Sequence, residues 1–327
     1  MAQKVSQSSK LDFSNFLPSL FIIAFLLVGF VPNLDAVDKI APQWLYLSLL
    51  NVLSGIYLFY KRKAFTYRIF SVISSGMAIS YIGFVLWALF SYFYAINPTE
   101  VLVNIVRHFN TLFMFINLGI FIYNIKNKER LLSLAIMLIL SVEIYFVLVQ
   151  ALDMFNTGGK VDPGLLKGVT ANRNITAFSI AIKLPYVLFL IFSSKKFFSK
   201  LIYSFIIFLG LFSLSMIESR ASFVAAGSVA ILLFFWTYYL SKKEKSYRNL
   251  ITNFYYLIPM ILALLINQSL LKDKGSDALS RAATISLSTN DGSVNQRLRY
   301  YEDVLTHITK NPILGTGIGN WKLTSID

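Results

Sequence analysis

Nine long apolar runs divide this chain, and their length constrains its fold more than any other feature of the sequence. A helix needs about 20 mostly apolar residues to cross the hydrocarbon core of a bilayer, and lipid offers an exposed backbone no hydrogen bonds. A porin-like barrel would show short alternating strands instead. The runs therefore predict an all-α polytopic membrane protein with about nine transmembrane helices. They cover residues 15–32, 43–60, 70–95, 101–124, 131–152, 175–193, 199–217, 222–240 and 250–271.

The composition supports lipid as the solvent for most of the chain. Hydrophobic residues make up 56% of the sequence and charged residues only 14%, which is too little charge to cover a soluble domain of this size. The formal net charge of +14 would suggest nucleic acid as the partner of a soluble protein. Lysine and arginine also collect in the cytoplasmic loops of membrane proteins, so we predict membrane lipid and no nucleic acid among the partners.

The residues that most often bind metals are scarce. The sequence has no cysteine, which excludes disulfides, thiolate metal sites and cysteine nucleophiles. The two histidines, His108 and His307, lie too far apart in the sequence to suggest a zinc site. We therefore predict no metal site and no cofactor.

Positive charge in the loops alternates along the chain and predicts its orientation. Lysine and arginine cluster after the second, fourth, sixth and eighth runs, whereas loop 33–42 carries only Lys39 and loop 96–100 carries neither. Cytoplasmic loops are enriched in these residues, so we expect an inner-membrane protein with a cytoplasmic N-terminus. Residues 1–271 would form the transmembrane bundle and residues 272–327 a periplasmic segment.

Arginine occurs close to the membrane surface in three predicted outward segments. These are the Gly- and Asn-rich loop 153–174 with Arg173, the turn 217–222 with Arg220, and the tail 272–327 with Arg297 and Arg299. A guanidinium is planar and always charged, so it suits bidentate contact with phosphate oxygens. The arginines could form a pocket for an anionic lipid head or a diphosphate. They could equally be interfacial anchors or solvated charges.

Within the tail, residues 296–309 have their apolar side chains at helical spacing. Asn311-Pro312 predicts the end of this helix, and the glycine-rich segment 315–320 predicts a flexible loop. Its glycine spacing is only superficially that of a dinucleotide fingerprint, because it follows a helix and not a strand.

Three ionisable residues, Arg107, Glu143 and Lys183, fall inside or close to predicted spans. Charged groups at membrane depth are costly, so each is a candidate for function. They could also form a structural ion pair, and both interpretations are open at this point.

Three segments together resemble the O-antigen ligase and polymerase superfamily of bacterial envelopes. Residues 219–221, Ser-Arg-Ala at the start of a hydrophobic run, are similar to the Ser-Arg-Gly/Ala element of that family. Gly168 and residues 172–174, Asn-Arg-Asn, are similar to its Gly…Asn segment before the sixth span. Residues 297–317 are similar to its Arg-x3-aromatic, Pro-x2-Gly-x-Gly stretch. The resemblance extends over residues 130–321.

The resemblance implies a metal-independent, inverting glycosyltransferase with a GT-C-like helical architecture. It would move a glycan from undecaprenyl diphosphate to the lipid A core on the periplasmic side. Arg220 and Arg297 would be catalytic, holding the diphosphate and stabilising the leaving group. The residues expected to bind the diphosphate or the glycan are Arg173, Asn174, Ser219, Arg299 and Tyr301.

Other functions are compatible with the same segments. A polymerase would use a growing polysaccharide as its acceptor, and a protein O-oligosaccharyltransferase would use a protein. A polysaccharide transporter or flippase is an alternative from a different class, but it predicts internal repeats, which the sequence lacks. The family continues past this loop to a histidine and about three further spans, whereas this sequence stops at Asp327. We therefore expect a chain truncated before the C-terminal part, which alone would lack the general base.

Overall fold

The architecture is entirely helical in the part of the chain that the structure describes. This computed structural model describes residues 16–32, 36–38, 40–170, 172–245, 247–283 and 292–324; predicted features at Lys39, in the first 15 residues and at Asp327 lie outside these ranges. In chain order the helices are α1 (Phe16–Leu26), α2 (Ala41–Tyr60), α3 (Arg62–Ile73), α4 (Gly76–Phe90), α5 (Pro98–Ile122), α6 (Lys128–Gly158), α7 (Arg173–Ser193), α8 (Phe197–Ile217), α9 (Arg220–Glu244), α10 (Arg248–Ile251), α11 (Phe254–Leu270), α12 (Ala278–Ala283), α13 (Gly292–Lys310) and α14 (Trp321–Thr324).

Seven helical segments within the described residues are long and apolar enough to cross a membrane. They correspond to α4 through α9 and to α11, and thus to the last seven of the nine predicted runs. Helix α1 is shorter, with 11 residues, and α2 carries polar residues along its length. The prediction of an all-α polytopic membrane protein is confirmed, and the count of nine spans stays a prediction.

The third predicted run, 70–95, is divided between two helices. Helix α3 ends at Ile73 and α4 begins at Gly76, after Ser75, whose hydroxyl accepts a hydrogen bond from the N–H of Ala78 (3.3 Å). Serine is among the preferred residues at this capping position because its side chain satisfies a free N–H of the first turn. Hydropathy alone therefore predicted one continuous helix where the structure has two.

The chain divides into two compact units, Met1–Lys126 with Thr289–Asp327, and Asn127–Ser288. In the first unit, α5 packs against α1 through α4, with Leu50, Phe65 and Phe121 in the core. In the second unit, α6, α7, α8 and α11 pack around a core that includes Leu140 and Ile207.

Helix α6 extends beyond the predicted run 131–152 and into the predicted loop. Its last residue is Gly158, and Gly159 follows with φ of 65°, donating its N–H to the carbonyl of Phe155 (2.8 Å). Glycine is favoured at this position because the left-handed conformation costs it no Cβ clash. The helix therefore ends at Gly158-Gly159 and not at residue 152, where the predicted apolar run ends.

The orientation of this multi-pass membrane protein can be tested with fusions. Because the loop charges favour a cytoplasmic N-terminus, we expect a reporter that works only in the periplasm to be active after Asp327 and silent after Lys243. A reporter that works only in the cytoplasm, fused at the same two positions, should give the opposite pattern. Periplasmic activity after Lys243 alone would overturn the orientation.

Candidate functional site

The turn between α8 and α9 places Arg220 at the first position of a long apolar helix. Glu218 ends α8 in a left-handed conformation (φ 53°). The next residue, Ser219, is buried, and its carbonyl accepts a hydrogen bond from the hydroxyl of Ser222 (2.7 Å). Arg220 is half-buried at the start of α9. Its backbone lies where the free N–H groups of a helix N-terminus favour an anion.

A second segment, here called the polar turn (residues 271–278), lies against this first turn. The carboxylate oxygen Oε1 of Glu218 accepts a hydrogen bond from the N–H of Asp277 (2.6 Å). The buried amide of Asn267 bonds the polar turn twice, donating to the hydroxyl of Ser276 (2.9 Å) and accepting from the N–H of Ala278 (3.0 Å). Asp277 caps α12 by accepting hydrogen bonds from the N–H (3.0 Å) and the hydroxyl (2.6 Å) of Ser280, and these bonds hold the pKa of its carboxyl below the usual value.

The loop that follows α6 also contacts the polar turn. The N–H of Val161 donates to the carbonyl of Lys274 (2.7 Å). Gly275 has φ of 98°, and a Cβ there would lie 2.6 Å from the Val161 carbonyl oxygen, so this close approach requires glycine. Parts of all three predicted outward segments therefore meet at one end of the second unit.

Gly168, which belongs to the family-like Gly…Asn segment, has a clear local role. The side chain of Gln150 on α6 accepts hydrogen bonds from the N–H groups of Lys167 (3.1 Å) and Gly168 (2.9 Å), and donates to the carbonyl of Gly168 (3.0 Å). Gly168 has φ of 54°, and a Cβ there would lie 3.0 Å from the side chain of Thr176. Glycine lets the loop fold back onto both α6 and α7.

Asn172 then starts α7. Its side-chain oxygen accepts a hydrogen bond from the N–H of Asn174 (2.8 Å), so α7 begins at Arg173. Arg173 is half-buried and Asn174 is exposed. Arg173 and Arg220 thus occupy the same position, the first residue of a long apolar helix, in one unit.

The other predicted site residues lie on α13, in the first unit. Helix α13 confirms the helix predicted over residues 296–309, and its end at Lys310 agrees with the predicted Asn-Pro stop. Arg297, Arg299 and Tyr301 are all exposed on it. The predicted site residues are therefore divided between the two units, with Arg173, Asn174, Ser219 and Arg220 in one and the three residues of α13 in the other.

The glycine-rich segment 315–320 is packed, although the sequence predicted a flexible loop. The buried side chain of Asn320 accepts a hydrogen bond from the N–H of Asn97 (2.7 Å) and donates to the carbonyl of Asn97 (3.3 Å). The N–H of Ile318 donates to the hydroxyl of Ser91 (3.2 Å). These bonds attach the segment to the connection between α4 and α5, and we call this contact the dock.

The charged residues at membrane depth form pairs. The Lys183 ammonium lies 2.9 Å from both carboxylate oxygens of Glu143 and also donates to the Ser179 carbonyl (3.0 Å). Arg107 pairs instead with Asp38 (3.4 Å). The sequence left open whether Glu143 and Lys183 have a functional role or form a structural ion pair. The geometry supports the ion pair.

Several residues that build this region were not among the predicted site residues. Gln150, Glu218, Asn267 and Asn320 each bond backbone groups of a distant segment. A usable signal was present for two of them, since Gln150 and Asn267 are amides close to the ends of apolar runs. A buried amide there needs partners. No three histidine or carboxylate side chains come together as a metal site in the described ranges, and the expectation of no metal stays a prediction.

Comparison with known families gives one match. Residues 205–326 match a family described as O-antigen ligase. The match confirms the resemblance to the O-antigen ligase and polymerase superfamily, and it includes both Arg220 and Arg297. Comparisons with curated proteins and with solved structures give no match.

Proposed function

We propose that this chain, whose residues 205–326 match the O-antigen ligase family, is an O-antigen ligase-like glycosyltransferase of the bacterial inner membrane. It would transfer a glycan from undecaprenyl diphosphate to the lipid A core on the periplasmic side. The observation that carries this proposal is the position of Arg220, which begins a transmembrane-length helix inside the matched segment. A charged guanidinium and free helix N–H groups at such a boundary suit a membrane-bound diphosphate.

The proposed reaction is an inverting displacement that needs no metal. An acceptor hydroxyl attacks the anomeric carbon, the bond from that carbon to the diphosphate oxygen breaks, and the electron pair leaves on the diphosphate. The acceptor proton passes to a base. Arg220 and Arg297 would stabilise the negative charge that develops on the leaving group, which is the type of interaction that usually contributes most to catalysis. Arg173, Asn174, Ser219, Arg299 and Tyr301 would hold the diphosphate or the glycan.

Replacing Arg220 tests this function directly. In a strain deleted for the gene, we expect the Arg220→Ala form to restore transfer at least about 100-fold less well than the native form, because a donor aimed at the developing charge is lost. Arg220→Lys should keep part of the activity, since it keeps the charge but not the planar fork. Arg297→Ala should behave like Arg220→Ala. The measurement is the lipopolysaccharide ladder on gels, with membrane insertion checked by immunoblot.

The matched control is Arg130→Ala. Arg130 is exposed at the start of α6, on the predicted cytoplasmic side, and its loss should leave the ladder unchanged. Loss of the ladder with long glycan still on the lipid carrier identifies a ligase. A core that bears a single repeat identifies a polymerase, the nearest alternative. A native ladder from Arg220→Ala would remove Arg220 from the mechanism.

A further inference from the structure

Glu218 has an unusual backbone for its residue type. It is one of three non-glycine residues with positive φ in the described ranges, with Asn127 and Lys245. Outside glycine, asparagine and aspartate adopt this conformation most readily, and glutamate has no such preference. A residue in a sparsely populated conformation persists where the surrounding structure fixes it, and such residues cluster at functional sites. Glu218 is also the only one of these three that lies two positions before a proposed catalytic residue.

The side chain of Glu218 explains what fixes this backbone. Its carboxylate reaches the polar turn and accepts the N–H of Asp277 at 2.6 Å, a short, charge-assisted hydrogen bond. The polar turn is itself held by Asn267 and by Val161. Glu218 therefore connects the turn that carries Arg220 to a segment that Asn267 and Val161 hold in the second unit through three hydrogen bonds.

We infer that Glu218 is a positioning residue, which fixes Arg220 by bonding the α8–α9 turn to the N–H of Asp277. This inference rests on the proposed function. A charge that must meet a leaving group has to be held to a fraction of an ångström, and a small displacement lowers the rate far more than it weakens binding. Glu218 itself touches neither donor nor acceptor in this assignment.

Three substitutions separate positioning from folding. Glu218→Gln keeps an oxygen that can accept the N–H of Asp277, so kcat should stay within about threefold of native, as expected for loss of charge assistance alone. Glu218→Gly adopts the left-handed conformation without strain but loses the hydrogen bond. We expect its kcat to fall about 10- to 100-fold with little change in KM for the lipid-linked donor. Glu218→Ala also loses the hydrogen bond but, unlike Glu218→Gly, keeps the left-handed strain, so it should also unfold at a lower temperature.

A second readout does not depend on activity. The chain has no cysteine, so a spin label on Leu279→Cys, at an exposed position of α12, reports on this segment alone. The label should become more mobile when Glu218→Gly is added and stay unchanged with Glu218→Gln. A label on Phe198→Cys, exposed at the start of α8, is the control and should not respond to either substitution.

The outcomes distinguish this inference from the proposed function. If Arg220→Ala is inactive and Glu218→Gly keeps native kcat, Glu218 is not a positioning residue, and a loosened label would then show a structural contact only. If Glu218→Gln is as defective as Glu218→Gly, the negative charge matters and not the hydrogen bond, which also overturns the inference. Native activity in Arg220→Ala would contradict the proposed function itself, whatever the Glu218 variants do.

Discussion

Replacing Lys183 with methionine is expected to destabilise the second unit by about 3–5 kcal/mol, the typical cost of breaking a buried ion pair on one side. The Glu143 carboxylate would keep its position near the middle of α6 without the ammonium that now contacts both of its oxygens. The two side chains are only 9% and 17% exposed, and both belong to helices long and apolar enough to cross a membrane. The free energy of unfolding in detergent micelles measures the effect.

The double variant Glu143→Met/Lys183→Met is the decisive comparison. Removing both charges leaves no uncompensated ion, so it should lose much less stability than the sum of the two single variants. Lys195→Met is the matched control, because Lys195 is exposed outside the spans and should change stability by no more than about 0.5 kcal/mol. Additive effects of Glu143→Met and Lys183→Met would show that the pair does not act as a unit.

The sequence predicted that Glu143 and Lys183 lie at membrane depth, but it did not predict that they form an ion pair with each other. Apolar periodicity fixes which segments are helices, and α7, α8 and α9 begin within two residues of their predicted spans. The rotation of α6 against α7 is set by packing between residues such as Leu140 and Ile180. Many apolar side chains fill such an interface almost equally well, so hydropathy does not determine the register.

The same distinction applies to the candidate site. Arg173 and Arg220 could be predicted at helix starts because polar residues precede each apolar run. The contacts that hold these helix starts in place could not be predicted, because the hydrogen bond from Asp277 to Glu218 joins residues 59 positions apart. The bond from Asn97 to Asn320 joins residues 223 apart. No local sequence pattern predicts such pairs. For the bond to Asn320, the only local signal was the glycine-rich segment 315–320.

Gly317 is a position at which the dock leaves no room for a side chain. It has φ of 88°, and a Cβ there would lie 2.5 Å from the Cβ of Ala95, an atom that cannot rotate away. Gly317→Ala therefore combines left-handed strain of about 1–2 kcal/mol with overpacking of about 1–3 kcal/mol. We expect the dock to open. Hydrogen exchange at the N–H of Asn97, which now donates to Asn320, should become faster.

Gly315→Ala is the matched control. Gly315 has a similar φ of 68°, but nothing lies within 4 Å of a Cβ built there, so only the strain remains and the dock should stay closed. Ala95→Gly added to Gly317→Ala removes the overlap and should restore slow exchange. Equal effects of the two glycine substitutions would show that the close approach to Ala95 is unimportant.

Opening the dock should also reduce transfer if Arg297 acts as proposed. The ring of Trp321, directly after the dock, lies 5.5 Å from the ring of His307 on α13, and Lys322 pairs with Glu100 at the start of α5 (2.7 Å). The dock therefore anchors the helix that carries Arg297 to the start of α5. Gly317→Ala should then reduce the intensity of the lipopolysaccharide ladder, whereas Gly315→Ala should leave it close to native. A native ladder with fast exchange at Asn97 would separate the dock from catalysis.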